Sequence, residues 1–156
     1  MKKKFTLAVL TILAIFLLTA CGGKKSGDIT VDITKLCDDL KATVTSGDLI
    51  IANENNLAAT YFFEMDKLEE SIAALNSGAN ACEVAIVKCK DSDYVSEVQD
   101  LFKGRVQNQS NLFADYNAAE VSKLDAAIIK SAGNYVVFCV TDDTAKAEEV
   151  LKKAGF

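Results

Sequence analysis

Thiols and carboxylates are the side chains best supplied for chemistry in this sequence: five Cys and 22 Asp plus Glu stand among 156 residues that include no His. A thiolate can attack an acyl group, bind a metal or exchange disulfides, and paired carboxylates can move protons at a glycosidic bond. The missing histidine removes Ser-His-Asp and Cys-His pairs, and every side chain that titrates near neutrality unperturbed. Cys37, Cys82, Cys89 and Cys139 show neither a CxxC nor a zinc-type spacing. Cys37 shares an apolar helical side with Ile33, Leu36 and Leu40, and Cys89 and Cys139 lie within strand-like apolar runs, so buried free thiols are expected. The acids Asp91, Asp93, Asp142 and Asp143 stand at two expected helix starts; capping explains them more simply than calcium, because no EF-hand spacing is present. Ser131 beside Lys130 and Ser122 beside Lys123 have the composition of a Ser-Lys dyad, but sequence neighbours point apart on a strand or a helix. No catalytic residue, no metal and no cofactor is expected.

Cys21 differs from the other four in its context. Lys2, Lys3 and Lys4 precede a stretch from Phe5 to Ala20 that holds thirteen apolar residues and three threonines. A charged head and a short apolar run match a secretory signal, because a membrane-spanning helix needs about 20 apolar residues. The stretch ends in Leu18-Thr19-Ala20-Cys21, which resembles a bacterial lipobox. Residues 1–20 are thus expected to be a signal peptide and Cys21 the first mature residue, lipidated through a thioether to diacylglycerol. Two acyl chains hold a membrane where one is marginal. Residues 21–29 are expected to form a flexible tether through Gly22 to Gly27, and residues 30–156 one domain on the extracytoplasmic face of the cell membrane.

Loss of residues 1–20 removes three lysines and no acid, leaving 14 basic against 22 acidic side chains and a formal charge of −8. That balance argues against nucleic acid as a partner, since a binder needs a basic stripe to displace counterions and only Lys24-Lys25 and Lys152-Lys153 cluster.

The positioning elements follow from periodicity. Asp32 is placed to cap a helix running to about Val44; Leu49 to Ala52 is a short apolar run; Leu57 to Phe63 predicts a helical turn. Leu68 to Leu75 fits a helix or a strand, and propensity favours the helix. Cys82 to Lys90 reads as a central strand, with Val84 and Ile86 facing one way and Ala85, Val87 and Cys89 the other. Asp91-Ser92-Asp93 is expected to cap a long helix carrying Val95, Val98, Phe102, Val106, Phe113 and Tyr116, flanked by Lys103 and Arg105. Ala126 to Lys130, a turn at 131–134, and Tyr135 to Thr141 predict a hairpin; Asp142-Asp143-Thr144 caps a final helix that Gly155 stops.

The strand Glu83-Val84-Ala85-Ile86-Val87-Lys88-Cys89-Lys90-Asp91, a long helix, then Gly133-Asn134-Tyr135-Val136-Val137-Phe138-Cys139-Val140-Thr141-Asp142-Asp143 with a closing Lys146-Ala147, resembles the domain of unknown function 4358 family. These are small lipoproteins of Gram-positive bacteria, in agreement with the lipobox. The resemblance implies that Glu70 to Leu75 is a strand paired with Cys82 to Cys89, against propensity. One departure is the absence of a proline in the turn near Asn117 to Glu120. The expected fold is α+β: an antiparallel sheet built from two hairpins, packed against a long helix and flanking helices. The resemblance supplies no activity and no catalytic residues.

Two functions remain after these exclusions. The first is a non-catalytic lipoprotein that presents its domain to a protein or cell-wall partner. The second is a small-molecule receptor, accessory to a transporter or sensor, with a ligand groove beside Tyr61, Phe62, Phe63 and Tyr135, although an aromatic triplet also suits a core.

Overall fold

Asp32 begins the first helix, as its spacing predicts: its carboxylate accepts from the Lys35 amide at 2.9 Å at the head of α1 (Ile33–Lys41). The computed structural model describes residues 29–78 and 80–156. The signal, Cys21 and the tether up to residue 28 lie outside the described residues. α1 buries Ile33, Leu36, Cys37 and Leu40 and stops three residues short of Val44. The Thr43 hydroxyl bonds back to the Leu40 carbonyl at 2.7 Å, the local competition that ends helices at such residues.

β1 (Leu49–Ile51) leads through the cap residue Asn53 into α2 (Glu54–Tyr61), which starts three residues earlier than the apolar pattern suggests. Phe62 closes α2 in the left-handed conformation, φ 60°. A 3-10 turn (Met65–Lys67) precedes β2 (Leu68–Asn76), which pairs antiparallel with β3 (Glu83–Cys89). Here the strand implied by the family resemblance wins over helical propensity. Ala73 and Ala74 are fully buried, so sheet pairing and burial on both faces outweigh the Leu, Glu and Ala preference for helix.

The long helix α3 (Val95–Ala114) differs from expectation at both ends. A 3-10 turn (Ser92–Tyr94) intervenes, and neither it nor α3 has a side-chain cap bond, so Asp91-Ser92-Asp93 does not cap in the expected manner. Tyr94 fixes the start instead, its hydroxyl accepting from the Glu64 amide at 2.8 Å. At the far end Tyr116 falls beyond the helix and is exposed. α4 (Ala118–Asp125), β4 (Ile128–Ala132), β5 (Tyr135–Val140) and α5 (Thr144–Ala154) complete the chain. The β4–β5 turn is tighter than predicted, because Ser131 and Ala132 continue the strand and only Gly133 and Asn134 turn. α5 follows its pattern: Asp143 accepts from the Lys146 amide, and Gly155 stops it at φ 99°.

The sheet order is β1-β2-β3-β5-β4 with every pairing antiparallel. β3 is central and alternates as its sequence predicts. Val84 and Ile86 pack with α1 and α5 on one face; Ala85, Val87 and Cys89 pack with α2, α3 and α4 on the other. The expected two hairpins are present, and β1 adds a fifth strand at one edge. Among the described residues no helix is long and apolar enough to cross a membrane.

Candidate functional site

Where β3 begins and β5 ends, four segments distant in sequence converge on Lys123. α4 carries Glu120 and Lys123 one helical turn apart, so both reach the same side. The loop after α1 brings Thr45 and Ser46, the residues ahead of β3 bring Asn80 and Cys82, and Asp142 follows β5. Lys123 Nζ lies 2.8 Å from Asp142 Oδ1, 3.0 Å from Glu120 Oε1, 3.2 Å from Ser46 Oγ and 3.9 Å from Cys82 Sγ. Ser46 Oγ and Cys82 Sγ are 3.6 Å apart. Asp142 Oδ2 accepts from the amides of Thr45 and Ser46 at 2.7 and 2.8 Å, and Glu120 Oε2 from the Ala81 amide at 2.8 Å. Asn80 donates to the Ser46 carbonyl at 3.0 Å. A Cβ at Gly47 would meet Asn80 Nδ2 at 3.0 Å, so a larger residue there would press the Asn80 amide aside by a few tenths of an ångström. Beside the cluster Thr43 and Thr141 share a buried hydroxyl contact of 2.6 Å.

A serine, a thiol and a lysine within 4 Å have the composition of a nucleophile and its base, but the charges run the other way. Burial would lower the Lys123 ammonium, yet Asp142 and Glu120 hold its pKa above the ordinary value, so it stays a donor with no lone pair to accept a proton. Burial likewise pushes the Cys82 thiol up, against Ser46 and Lys123, which favours the thiol over the thiolate. Burial would raise Asp142 too; Lys123 and the two loop amides outweigh it and hold this carboxyl well below the usual range. The arrangement is therefore an electrostatic clasp on the α1–β1 loop. Cys37, Cys82, Cys89 and Cys139 are free and buried; burial pushes Cys37 and Cys89 up to about 11 and Cys139 to about 12.

The sequence-adjacent Ser-Lys pairs do not form a site. Lys130 pairs with Glu148, and Lys123 meets Ser46, 77 positions away. The four acids weighed for calcium fall at opposite ends of the sheet. β3 and β5 are antiparallel, so Asp91 follows the end at which β5 begins, and Asp142 the end at which it stops. Among the described residues no group of three or more His, Cys, Asp or Glu is arranged to hold a metal ion.

The four aromatic candidates are divided between environments. Tyr61 and Phe63 are buried on the α3 face, stacked at 5.2 Å, with Phe102 edge-on to Tyr61 at 5.4 Å. Tyr135 lies on the α1 face, where its hydroxyl accepts from the Val31 amide at 3.4 Å. Phe62 is 73% exposed, turned outward by its left-handed backbone. The expected groove does not gather all four: the sheet separates Tyr135 from the rest. Tyr61 and Phe62 do border a cavity of about 470 Å³ between α2 and α3, with Leu101, Gly104 and Arg105. Arg105 forms its wall, 5.9 Å above the Tyr61 ring, with Nε and Nη2 bonded to Glu83 at 2.9 and 2.7 Å. On the other side of Arg105 a second cavity of about 240 Å³ runs past Leu75, Asn80, Leu112 and Tyr116. The Tyr61 hydroxyl is buried without a hydrogen-bond partner among the described residues, and burial drives its pKa well up.

Sequence reading missed the Lys123 clasp and the Glu83–Arg105 pair. The available signals were a doubled acid at Asp142-Asp143, of which the helix cap uses one, and an acid heading the apolar run of β3.

Residues 45–141 match the model of a family described as Domain of unknown function (DUF4358). The match opens at the clasped loop and closes at Thr141, taking in the whole sheet and α2 to α4. No curated protein and no solved structure matches the chain.

Proposed function

The chain belongs to the family of the domain of unknown function DUF4358, and on that premise we propose a non-catalytic binding module, carried on the extracytoplasmic face of a Gram-positive-type cell membrane by diacylglycerol on Cys21. The observation that carries this reading is the state of Lys123. The base a serine or thiol nucleophile needs is committed to Asp142 and Glu120, so the chemically equipped cluster is a fastening. What is left open is apolar surface: Ile50, Ile51, Phe62, Leu112 and Tyr116 are exposed large hydrophobics, the kind of residue that marks contact sites when grouped.

The placement of the chain entry supports a display role. Ile29 packs near Gly155, and the Val31 amide reaches Tyr135, at the end of the sheet where β5 starts. Leu112 and Tyr116 border the cavity beside Glu83 and Cys82, at the opposite end. The eight Cα–Cα steps from Cys21 to Ile29 span at most roughly 28 Å, so diacylglycerol on Cys21 would keep this end of the domain within that reach of the bilayer and leave the opposite end free for a partner.

The test uses cells expressing the full chain with a photo-crosslinking residue at Tyr116 or Phe62. The expected result is a discrete adduct with one envelope protein, and release of the chain from membranes when Cys21 is replaced by Ala. Turnover of any substrate by the purified chain would overturn the reading. A receptor for a small molecule is the second reading, favoured by the Tyr61–Arg105 cavity; a reproducible thermal shift with one ligand class would select it.

A further inference from the structure

The two edges of the sheet are finished differently. Outer strand β4 carries Lys130, paired with Glu148 of α5, and Ser131 meets Gln99 of α3, so helices on both faces reach this edge. Outer strand β1, only three residues long, presents Ile50, 65% exposed, and Ile51, 48% exposed, with no charge or proline within it and, among the described residues, no element covering those two side chains. Ala52 donates inward to the Ala73 carbonyl at 2.8 Å, so ladder alternation turns the N–H and C=O of Ile51 outward. From Val44 to Asp66 the chain holds four acids and no Lys or Arg; Asp48 and Glu54 bracket the strand on either side.

We propose that β1 is a docking edge for an extended segment of a partner protein, apolar at its centre and basic at both ends. The segment adds as a sixth strand through the Ile51 main chain, lays its apolar side chains against Ile50 on one face and Ile51 on the other, and places its cations beside Asp48 and Glu54. This deepens the binding-module reading and rests on it, naming the surface and the chemistry of the partner.

The test takes the full-length chain in detergent micelles and a labelled, end-blocked heptapeptide, Lys-Lys-Val-Ile-Val-Lys-Lys, with amide hydrogen exchange as the second readout. Binding is expected to slow exchange at Ile51, and the counterpart with glutamate for lysine to bind at least about tenfold more weakly. Ile50→Lys with Ile51→Lys should abolish binding, while Asp48→Asn with Glu54→Gln, which leaves the strand intact, should weaken it roughly two- to fivefold and flatten its salt dependence. No binding, binding without protection of Ile51, or equal binding of the acidic peptide overturns the proposal. So does a concentration-dependent dimer that protects Ile51 unaided, which would give the edge to a second copy. Crosslinks at Tyr116 or Phe62 that persist while Ile51 stays unprotected would sink this inference and leave the module reading standing.

Discussion

Glu83 and Asp142 sit close together at one end of the sheet, since Glu83 pairs in register with Val140, yet their environments treat a carboxylate in opposite ways. Glu83 has a side chain 5% exposed, and Arg105 is its one charged partner among the described residues. Asp142, at 16%, gathers Lys123 and the amides of Thr45 and Ser46. Burial raises Glu83 above the usual carboxylate range although the Arg105 bonds and charge work against it. Burial would raise Asp142 as well, but its several donors hold it far below. A single guanidinium does not offset the desolvation of a dry carboxylate, whereas a half-wet one with three good donors is held as an anion.

The largest expected effect comes from leaving the dry carboxylate alone. Arg105→Ala keeps Glu83 buried without a partner and removes the cation from the Tyr61 ring, so denaturant unfolding should show a loss of about 3–5 kcal/mol. Lys123→Met leaves Asp142 its two amide donors and the buried Glu120 the Ala81 amide, and should cost less, about 1–3 kcal/mol. Equal losses for the two variants would break the comparison.

The pH dependence sharpens it, because the two shifts have opposite signs. Asp142 titrates below its unfolded value of about 3.9, so its contribution is present above that pH and is lost as the pH falls further toward the folded value. Glu83 titrates above its unfolded value of about 4.3, so stability rises as the pH falls from neutrality through the folded value toward 4.3. Stability against unfolding, followed across pH, should therefore peak on the mildly acidic side. Asp142→Asn is expected to cost about 2 kcal/mol at neutral pH and to flatten the limb below about 4. Glu83→Gln should remove the rise on the other limb while costing less than Arg105→Ala, because the Arg105 side chain, 23% exposed, can turn toward water.

Local pattern carried most of the fold and little of the site. Capping by Asp32 and Asp143, the Gly155 stop, the facing of β3 and the existence of the β4–β5 hairpin were legible because each rests on residues within a turn or a few strand positions of one another. β2 read as helix by propensity, and only the family resemblance made it a strand, because what decides it is pairing with β3 and burial of Ala73 and Ala74. The clasp was not legible. Its bonds join positions up to 97 apart, and the adjacent Ser122, rightly set aside as a partner for Lys123, gave no hint that the fold would bring Ser46 to it. The aromatic triplet was legible only as core or groove without a division between them; the left-handed backbone at Phe62 turns that one outward while Tyr61 and Phe63 are buried.

The smallest effect separates the main chain of the clasped loop from its hydroxyl. Ser46 offers Asp142 its amide at 2.8 Å, and its Oγ contacts Lys123 at 3.2 Å from a position a water can take. Ser46→Ala keeps the amide and the two carboxylate partners of Lys123, so it should cost about 0.5–1 kcal/mol and leave most of the acid limb in place. The Asp142 carboxyl is held down first by Lys123, then by the amides of Thr45 and Ser46, with the Ser46 side chain the last of the contributors. A Ser46→Ala chain whose acid limb collapsed as fully as that of Asp142→Asn would put the hydroxyl, not the loop backbone, at the centre of the clasp. A limb that keeps its midpoint shows the fastening to be made by backbone dipoles, which is what lets a half-wet aspartate stay ionised beside a buried glutamate that resists it.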